Sequence, residues 1–322
     1  MPSFELLDEK VFGRLVKQVG SERRMSTYLV TGPEPERKKA LALAFAKALN
    51  CSEGVRDLSC SCGVCRRIEA GTHPDVRWYG RDEETNSIKI SEIRDFKNWL
   101  HLKAFEGKVK VFIFNEAERL GPEAQNALLK SIEEPPPGNV ILFLLPHAQL
   151  LFDTISSRAV EIRVPACSTE RIRELLVREG VLIEQAECLA RMSQGHLTRA
   201  RKAASEGWFR KKNEWLEDLV NRPGAFFESF EPASREAMGS LLDFLIEWLR
   251  DLLVFSASGE AGQVIHIDRL ELIQSMTARC DFQSLLELFD HMNQLRRSID
   301  DYANRKLVLT QVGMCWERSF RS

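Results

Sequence analysis

The sequence has no long apolar run. Its most apolar stretch, Val140 to Leu145, stops at Pro146 and is far shorter than the roughly 20 residues a membrane-spanning helix needs. The amino terminus, MPSFELLDEK, is charged and has no apolar core, so no secretory signal is expected. Charge of one sign is also missing: 45 Lys and Arg stand against 47 Asp and Glu, for a net charge of −2. Such a chain is not a polyanion binder as a whole, and contact with nucleic acid would need a local patch or partners. There is no internal repeat and no low-complexity tract. No Ser-His-Asp or Cys-His set is supported by order or context, and His73, before a proline at a turn, reads as structural. These absences point to a cytosolic protein, in which eight cysteines are thiols or metal ligands before they are disulfides.

What is present is a chain of 322 residues with a hydrophobic fraction of 44%, enough for two or three packed domains. The first half alternates β-rich and helical runs. Strands are expected at Tyr28–Thr31, Val76–Tyr79, Val109–Phe114, Val140–Leu145 and Val160–Val164. Helices are expected at Lys38–Asn50, Ser91–Leu100 with Ser91 as a cap, and Gly121–Glu133 with Pro122 in the first turn. This alternation implies an α/β domain with a mostly parallel sheet. After Pro165 short helices follow at Thr169–Arg178 and Glu184–Met192. Long helical patterns cover Ala237–Phe255, Arg269–Thr277, Phe282–Ser298 and Asn304–Phe320. Arg222–Gly224 and Ser256–Gly262 read as loops.

The segment TGPEPERKK, Thr31 to Lys39, lies between the first strand and first helix, where a phosphate-binding loop would sit. Against G-x-x-x-x-G-K-[ST], Gly32 and Lys38 match, but Arg37 stands at the second glycine and Lys39 at the hydroxyl position. Arg37 brings a side chain where backbone should approach phosphate, and Lys39 cannot place a hydroxyl on magnesium. Glu34 and Glu36 add negative charge to the loop. The third strand ends in Asn115-Glu116, where a nucleoside-triphosphatase carries Asp-Glu to hold the magnesium shell and polarise water. Alone, Asn115-Glu116 is an ordinary polar strand end. Together with the altered loop it suggests an ATPase scaffold that does not hydrolyse.

Cys51, Cys60, Cys62 and Cys65 fall in a short insertion, about residues 51–65, before the second strand. Closely spaced thiolates can wrap one tetrahedral zinc ion, which would be structural because no position is left open. Four unrelated thiols, or a redox pair at Cys62 and Cys65, are the alternatives. Cys167, Cys188, Cys280 and Cys315 lie on helical patterns and read as core.

Gln125-Asn-Ala-Leu-Leu-Lys-Ser-Ile-Glu-Glu-Pro-Pro136 resembles the NALLK-(T/S)-(L/I)-EEPP string of bacterial clamp-loader subunits. Thr154-Ile-Ser-Ser-Arg158 resembles their T-I-x-S-R-C, with Ala159 in place of cysteine. Gly71–Val76, Ile88–Arg94 and Asn304–Leu309 match other family strings in the right order. The sequence is thus similar to the bacterial clamp-loader family of AAA+ proteins over nearly its whole length. The family carries C-x8-C-x2-C-x2-C where this chain has C-x8-C-x1-C-x2-C, which leaves the role of Cys60 open.

The resemblance implies an AAA+ core at 1–165, a helical lid at 166–207 and an all-α collar for oligomerisation at 208–322. It implies a non-hydrolysing subunit of the polymerase assembly. Arg158 would be an arginine finger reaching a neighbour's γ-phosphate, a task suited to a planar, always-charged guanidinium. ATP and magnesium would belong to that neighbour, and zinc to the cysteines. Partners would be an ATPase motor subunit, a delta wrench subunit, and, through the complex, the sliding clamp and primed DNA, with no membrane. Arg199, in Gly195-His-Leu-Thr-Arg199, falls in the second sensor region, where an arginine normally meets the subunit's own nucleotide; a plain surface arginine is the other reading. Two other functions stay open: an active ATPase subunit using Lys38, and a zinc-dependent nucleic-acid-binding module.

Overall fold

The computed structural model describes residues 13, 25–54, 60–82, 85–232, 234–301 and 303–320. It divides into two compact units, Met1–Cys167 and Ser168–Ser322. The segments 166–207 and 208–322, set apart in the sequence as lid and collar, fall almost entirely in the second unit.

The first unit holds a five-stranded sheet of β1 (Thr27–Thr31), β2 (Val76–Tyr79), β3 (Lys110–Phe114), β4 (Asn139–Leu145) and β5 (Val160–Arg163). Its order is β2-β3-β4-β1-β5, and every pairing is parallel. All five lie where the sequence placed strands. A parallel sheet is covered on both faces, so its strands read as continuous apolar runs. Successive residues then feed opposite cores. Val111 and Ile113 of β3 join Val140, Leu142 and Leu144 of β4 beneath helices α1 (Pro35–Asn50) and α2 (Gly63–Glu69). Phe112 and Phe114 join Ile141, Phe143 and Leu145 beneath α3 (Ile90–Leu100), α4 (Pro122–Glu133) and α5 (Asp153–Ser156). Phe114 stacks on Phe143 at 5.1 Å and on Tyr79 at 5.0 Å, contacts that add to plain area burial.

Two helix starts differ from expectation. α1 begins at Pro35, three residues before Lys38, because proline is pre-set for a first helical position and Glu36 favours the positive end of the helix. α3 begins at Ile90 after Lys89, which places Ser91 inside the first turn and not at the cap.

The family string at Gly71–Val76 is structural. His73 is buried and its Nδ1 accepts the N–H of Asp75 at 3.2 Å. The Asp75 carboxylate accepts backbone N–H groups of Phe105, Glu106 and Gly107 at 2.7, 2.9 and 2.6 Å, pinning the loop that leads into β3.

The second unit is helical throughout its described residues: α6 (Thr169–Arg178), α7 (Ile183–Met192), α8 (Leu197–Ser205), α9 (Trp208–Asn221), α10 (Pro223–Ser229), α11 (Arg235–Ser258), α12 (Leu270–Thr277), α13 (Phe282–Asp300) and α14 (Arg305–Phe320). Its core gathers Trp215, Phe227, Leu245, Trp248, Met292 and Trp316, among others. Both expected loops are corrected here. Arg222-Pro-Gly is the start of α10, with Pro223 in its first turn and Phe226 and Phe227 buried. α11 runs on to Ser258 and is ended by Gly259 in the left-handed region, φ 68°, a conformation glycine reaches without a Cβ penalty. Cys167 and Cys188 are buried, while Cys280 and Cys315 are half-buried against the helical core. Among the described residues, no helix is long and apolar enough to cross a membrane.

Candidate functional site

In a parallel sheet, the crevice beyond the carboxyl ends of the strands, where strand order reverses, is the expected binding region. The chain leaves β1, crosses to the β2 edge, returns through β3 and β4, and then passes to β5 on the other side of β1. The loop after β1 and the turn after β3 therefore belong to that region, as the sequence anticipates.

The loop after β1 is shut. Gly32 has φ 155°, and a Cβ there would sit 2.2 Å from the Val164 carbonyl oxygen, so only glycine fits. Its N–H faces the carbonyls of Leu145 and Pro146 at 3.2 and 3.1 Å. Three residues later, at Pro35, α1 begins, and the Lys38 N–H is already bonded to the Glu34 carbonyl at 3.3 Å. A phosphate loop needs N–H groups free to face its anion. Arg37 is buried and donates to the Pro165 carbonyl at 2.6 Å, so its side chain lies inside the fold. Lys39 turns to Glu36 at 3.1 Å. Lys38 is buried. Burial pushes its amine below the ordinary lysine range, against the pull of the Glu118, Glu34 and Glu116 carboxylates. Lys38 thus already feels the charge of three carboxylates.

The turn after β3 is equally committed. The Asn115 N–H donates to the Tyr79 carbonyl at 2.7 Å. Glu116 is left-handed, φ 54° and ψ 50°, an uncommon conformation for a residue with a side chain. Its carboxylate meets Arg81 at 3.0 Å. Neither that ion pair nor the reach of Arg37 is visible in the sequence, because each joins residues far apart in the chain.

The four cysteines come together. One ligand atom from each of Cys51, Cys60, Cys62 and Cys65 lies within 4.8 Å of the others. The Cys51 sulfur is 3.6 Å from that of Cys60 and 3.9 Å from that of Cys62. A tetrahedron with metal–sulfur bonds of about 2.3 Å has edges of about 3.8 Å, so the donor set fits one four-coordinate metal ion. Local structure explains the convergence. Cys51 closes α1, and Cys62 caps α2, its sulfur accepting the Cys65 N–H at 3.5 Å. The Cys65 N–H and hydrogen bonds from Ser52 lower the Cys62 thiol to about 6, whereas burial pushes Cys65 up. Lys47, buried, pairs with Glu69 and reaches the Cys60 carbonyl at 3.5 Å, tying the knuckle to α1. Cys60 belongs to the cluster despite its shortened spacing.

Arg158 is on the surface just before β5. Its guanidinium donates to the Thr154 carbonyl at 2.9 Å and meets the Glu133 carboxylate at 3.1 Å. Arg199 is paired within the second unit to Glu247 at 2.5 Å. Burial raises that carboxyl to about 7, although Arg199 works to lower it.

Strand order, the loop after β1 and the acidic turn after β3 define an α/β core of the AAA+ type joined to a helical unit. Comparison with known proteins takes this further. The family described as DNA polymerase III, delta subunit, matches residues 7–168, and the one described as DNA polymerase III, delta subunit, C terminal, matches residues 211–318. The chain belongs to the DNA polymerase III delta-subunit family. It is 27% identical over 298 residues to the DNA polymerase III subunit delta' of Pseudomonas aeruginosa, covering 90% of each chain. It is 27% identical to the subunit delta' of Bacillus subtilis, covering 87% of each. It is 31% identical over 198 residues to the DNA polymerase III subunit tau of Escherichia coli, covering 59% of this chain and 30% of that protein.

Proposed function

We propose that this chain is the non-hydrolysing delta' subunit of a bacterial DNA polymerase III clamp loader, completing a neighbour's ATPase site with Arg158. The observation that carries it is Arg37. Its side chain occupies the interior and bonds to Pro165, in a loop where the Lys38 N–H is already bonded to the Glu34 carbonyl. The relatives named delta' cover 90% and 87% of the chain, whereas the tau likeness covers 59% of it. ATP and magnesium belong to the neighbouring motor subunit, and this domain acts as a rigid wall that presents Arg158. Partners in kind are the motor and delta subunits, with the sliding clamp and primed DNA met through the complex.

Arg158 would bind the γ-phosphate of the neighbour's nucleotide and stabilise charge that builds in the transition state. Zinc fits the four thiolates of Cys51, Cys60, Cys62 and Cys65, where it would stabilise the fold and do no chemistry. An active ATPase would have to rest on Lys38, which is buried and under the charge of Glu118, Glu34 and Glu116. Titration of the isolated chain with labelled ATP and magnesium tests this: no saturable binding is expected at micromolar nucleotide. Micromolar, magnesium-dependent binding with turnover overturns the proposal.

A further inference from the structure

Glu133 sits where simple helix energetics disfavours it. It is the last residue of α4, followed by Glu134 at the cap. Carboxylates at a helix C-terminus oppose the negative end of the macrodipole. An anion kept at such a position invites a reason outside local stability. Its partner is Arg158, 3.1 Å away. The same guanidinium donates to the carbonyl of Thr154, in α5, at 2.9 Å. Arg158 is therefore held between the carbonyl ends of two helices, one terminal nitrogen on Glu133 and the other on Thr154 and, at 3.4 Å, on the Ser157 hydroxyl. Both side chains of the pair are over 40% exposed, and an exposed ion pair adds little to folding. What two anchors do supply is direction, since a free arginine side chain samples many rotamers.

We propose that Glu133 is the positioning residue of Arg158, holding the guanidinium in one direction so that it meets a neighbour's phosphate already aimed. The proposal rests on the reading of Arg158 given above. Glu133 touches neither nucleotide nor reacting atoms and acts only through the arginine. Misdirecting a transition-state group lowers turnover more than nucleotide affinity.

The test uses the reconstituted loader from the same organism, with kcat and KM measured for clamp- and DNA-stimulated ATP hydrolysis. Glu133→Ala is expected to lower kcat about tenfold and leave KM within about twofold. Glu133→Gln, whose amide oxygen still accepts, is expected to recover most of the rate. In an Arg158→Ala background, Glu133→Ala is expected to change nothing further. Wild-type turnover for Glu133→Ala beside a large loss for Arg158→Ala overturns the positioning role and leaves the finger standing. A loss that multiplies on top of Arg158→Ala also overturns it, because Glu133 would then act independently. Unchanged turnover for Arg158→Ala removes the finger itself, and this proposal with it.

Discussion

Asp75→Asn should loosen the first unit selectively, and its size follows from three bonds. The wild-type carboxylate accepts Phe105 N–H on one oxygen and Glu106 and Gly107 N–H on the other. Burial alone would push this carboxyl up, but the three N–H groups hold it below the ordinary aspartate range. Asparagine has one oxygen, so it can keep the Glu106 and Gly107 contacts while its NH2 group faces the Phe105 donor. Leaving that donor unmet costs about 1–3 kcal/mol, and turning two charge-assisted bonds into neutral ones costs about 1 kcal/mol each. The total is about 3–5 kcal/mol, a large part of the roughly 5–15 kcal/mol that holds a domain folded. With a urea slope of about 1–3 kcal/mol/M, the first unit's midpoint should fall by more than about 1 M. Urea melts read by amide exchange of peptides from 101–114 and from α11 separate the two units. A shift below about 0.5 M, or an equal shift in α11, refutes this role for the Asp75 carboxylate. Because the folded pKa is depressed, the Asp75 contribution is present above the unfolded value near 3.9 and is lost as pH falls through the folded one. The gap between wild type and variant should therefore close below about pH 4.

Arg158→Ala should lower the stimulated ATPase of the reconstituted loader by about three to five powers of ten, with melting temperature and assembly by gel filtration unchanged. Elemental analysis should find one zinc per chain; Cys60→Ser should weaken retention of the ion against a chelator, which exchange with a colorimetric dye measures. Glu247 is raised to about 7 by burial, so the folded state holds its proton where the unfolded chain has lost it. Stability of the second unit should fall as pH rises from about 4.5 to 7, with a slope approaching about 1.4 kcal/mol per pH unit. Glu247→Gln should flatten that slope in denaturant melts repeated across the range.

The strands were legible because a parallel sheet buried on both faces writes itself as apolar runs, and Val109–Phe114 and Val140–Leu145 have no competing period. Helix bodies were legible from their apolar spacing, but ends were not. Pro35 and Pro223 were passed over as helix starts, the first because the phosphate-loop pattern claimed the residues around it, the second because Pro-Gly reads as a turn. Burial of Phe226 and Phe227 in the helical core outweighs the local turn preference there.

The candidate site was legible as a set of substitutions, not as a shape. A sequence shows that Arg37 replaces glycine, but not that its side chain turns inward to a carbonyl 128 residues away. Nor does it show that Gly32 is kept by a Val164 oxygen and not by a nucleotide. The distinction bears on function. A loop that had merely lost its contacts would leave an empty crevice, open to other anions. Here Arg37 is bonded to Pro165 and the Val164 carbonyl lies against Gly32, while Lys38 is buried and feels the charges of Glu118, Glu34 and Glu116. Both features support the proposal that this domain binds no nucleotide of its own. If Arg158 is the finger proposed above, its direction depends on α4 and α5, which carry Glu133 and Thr154, the two groups that hold its guanidinium.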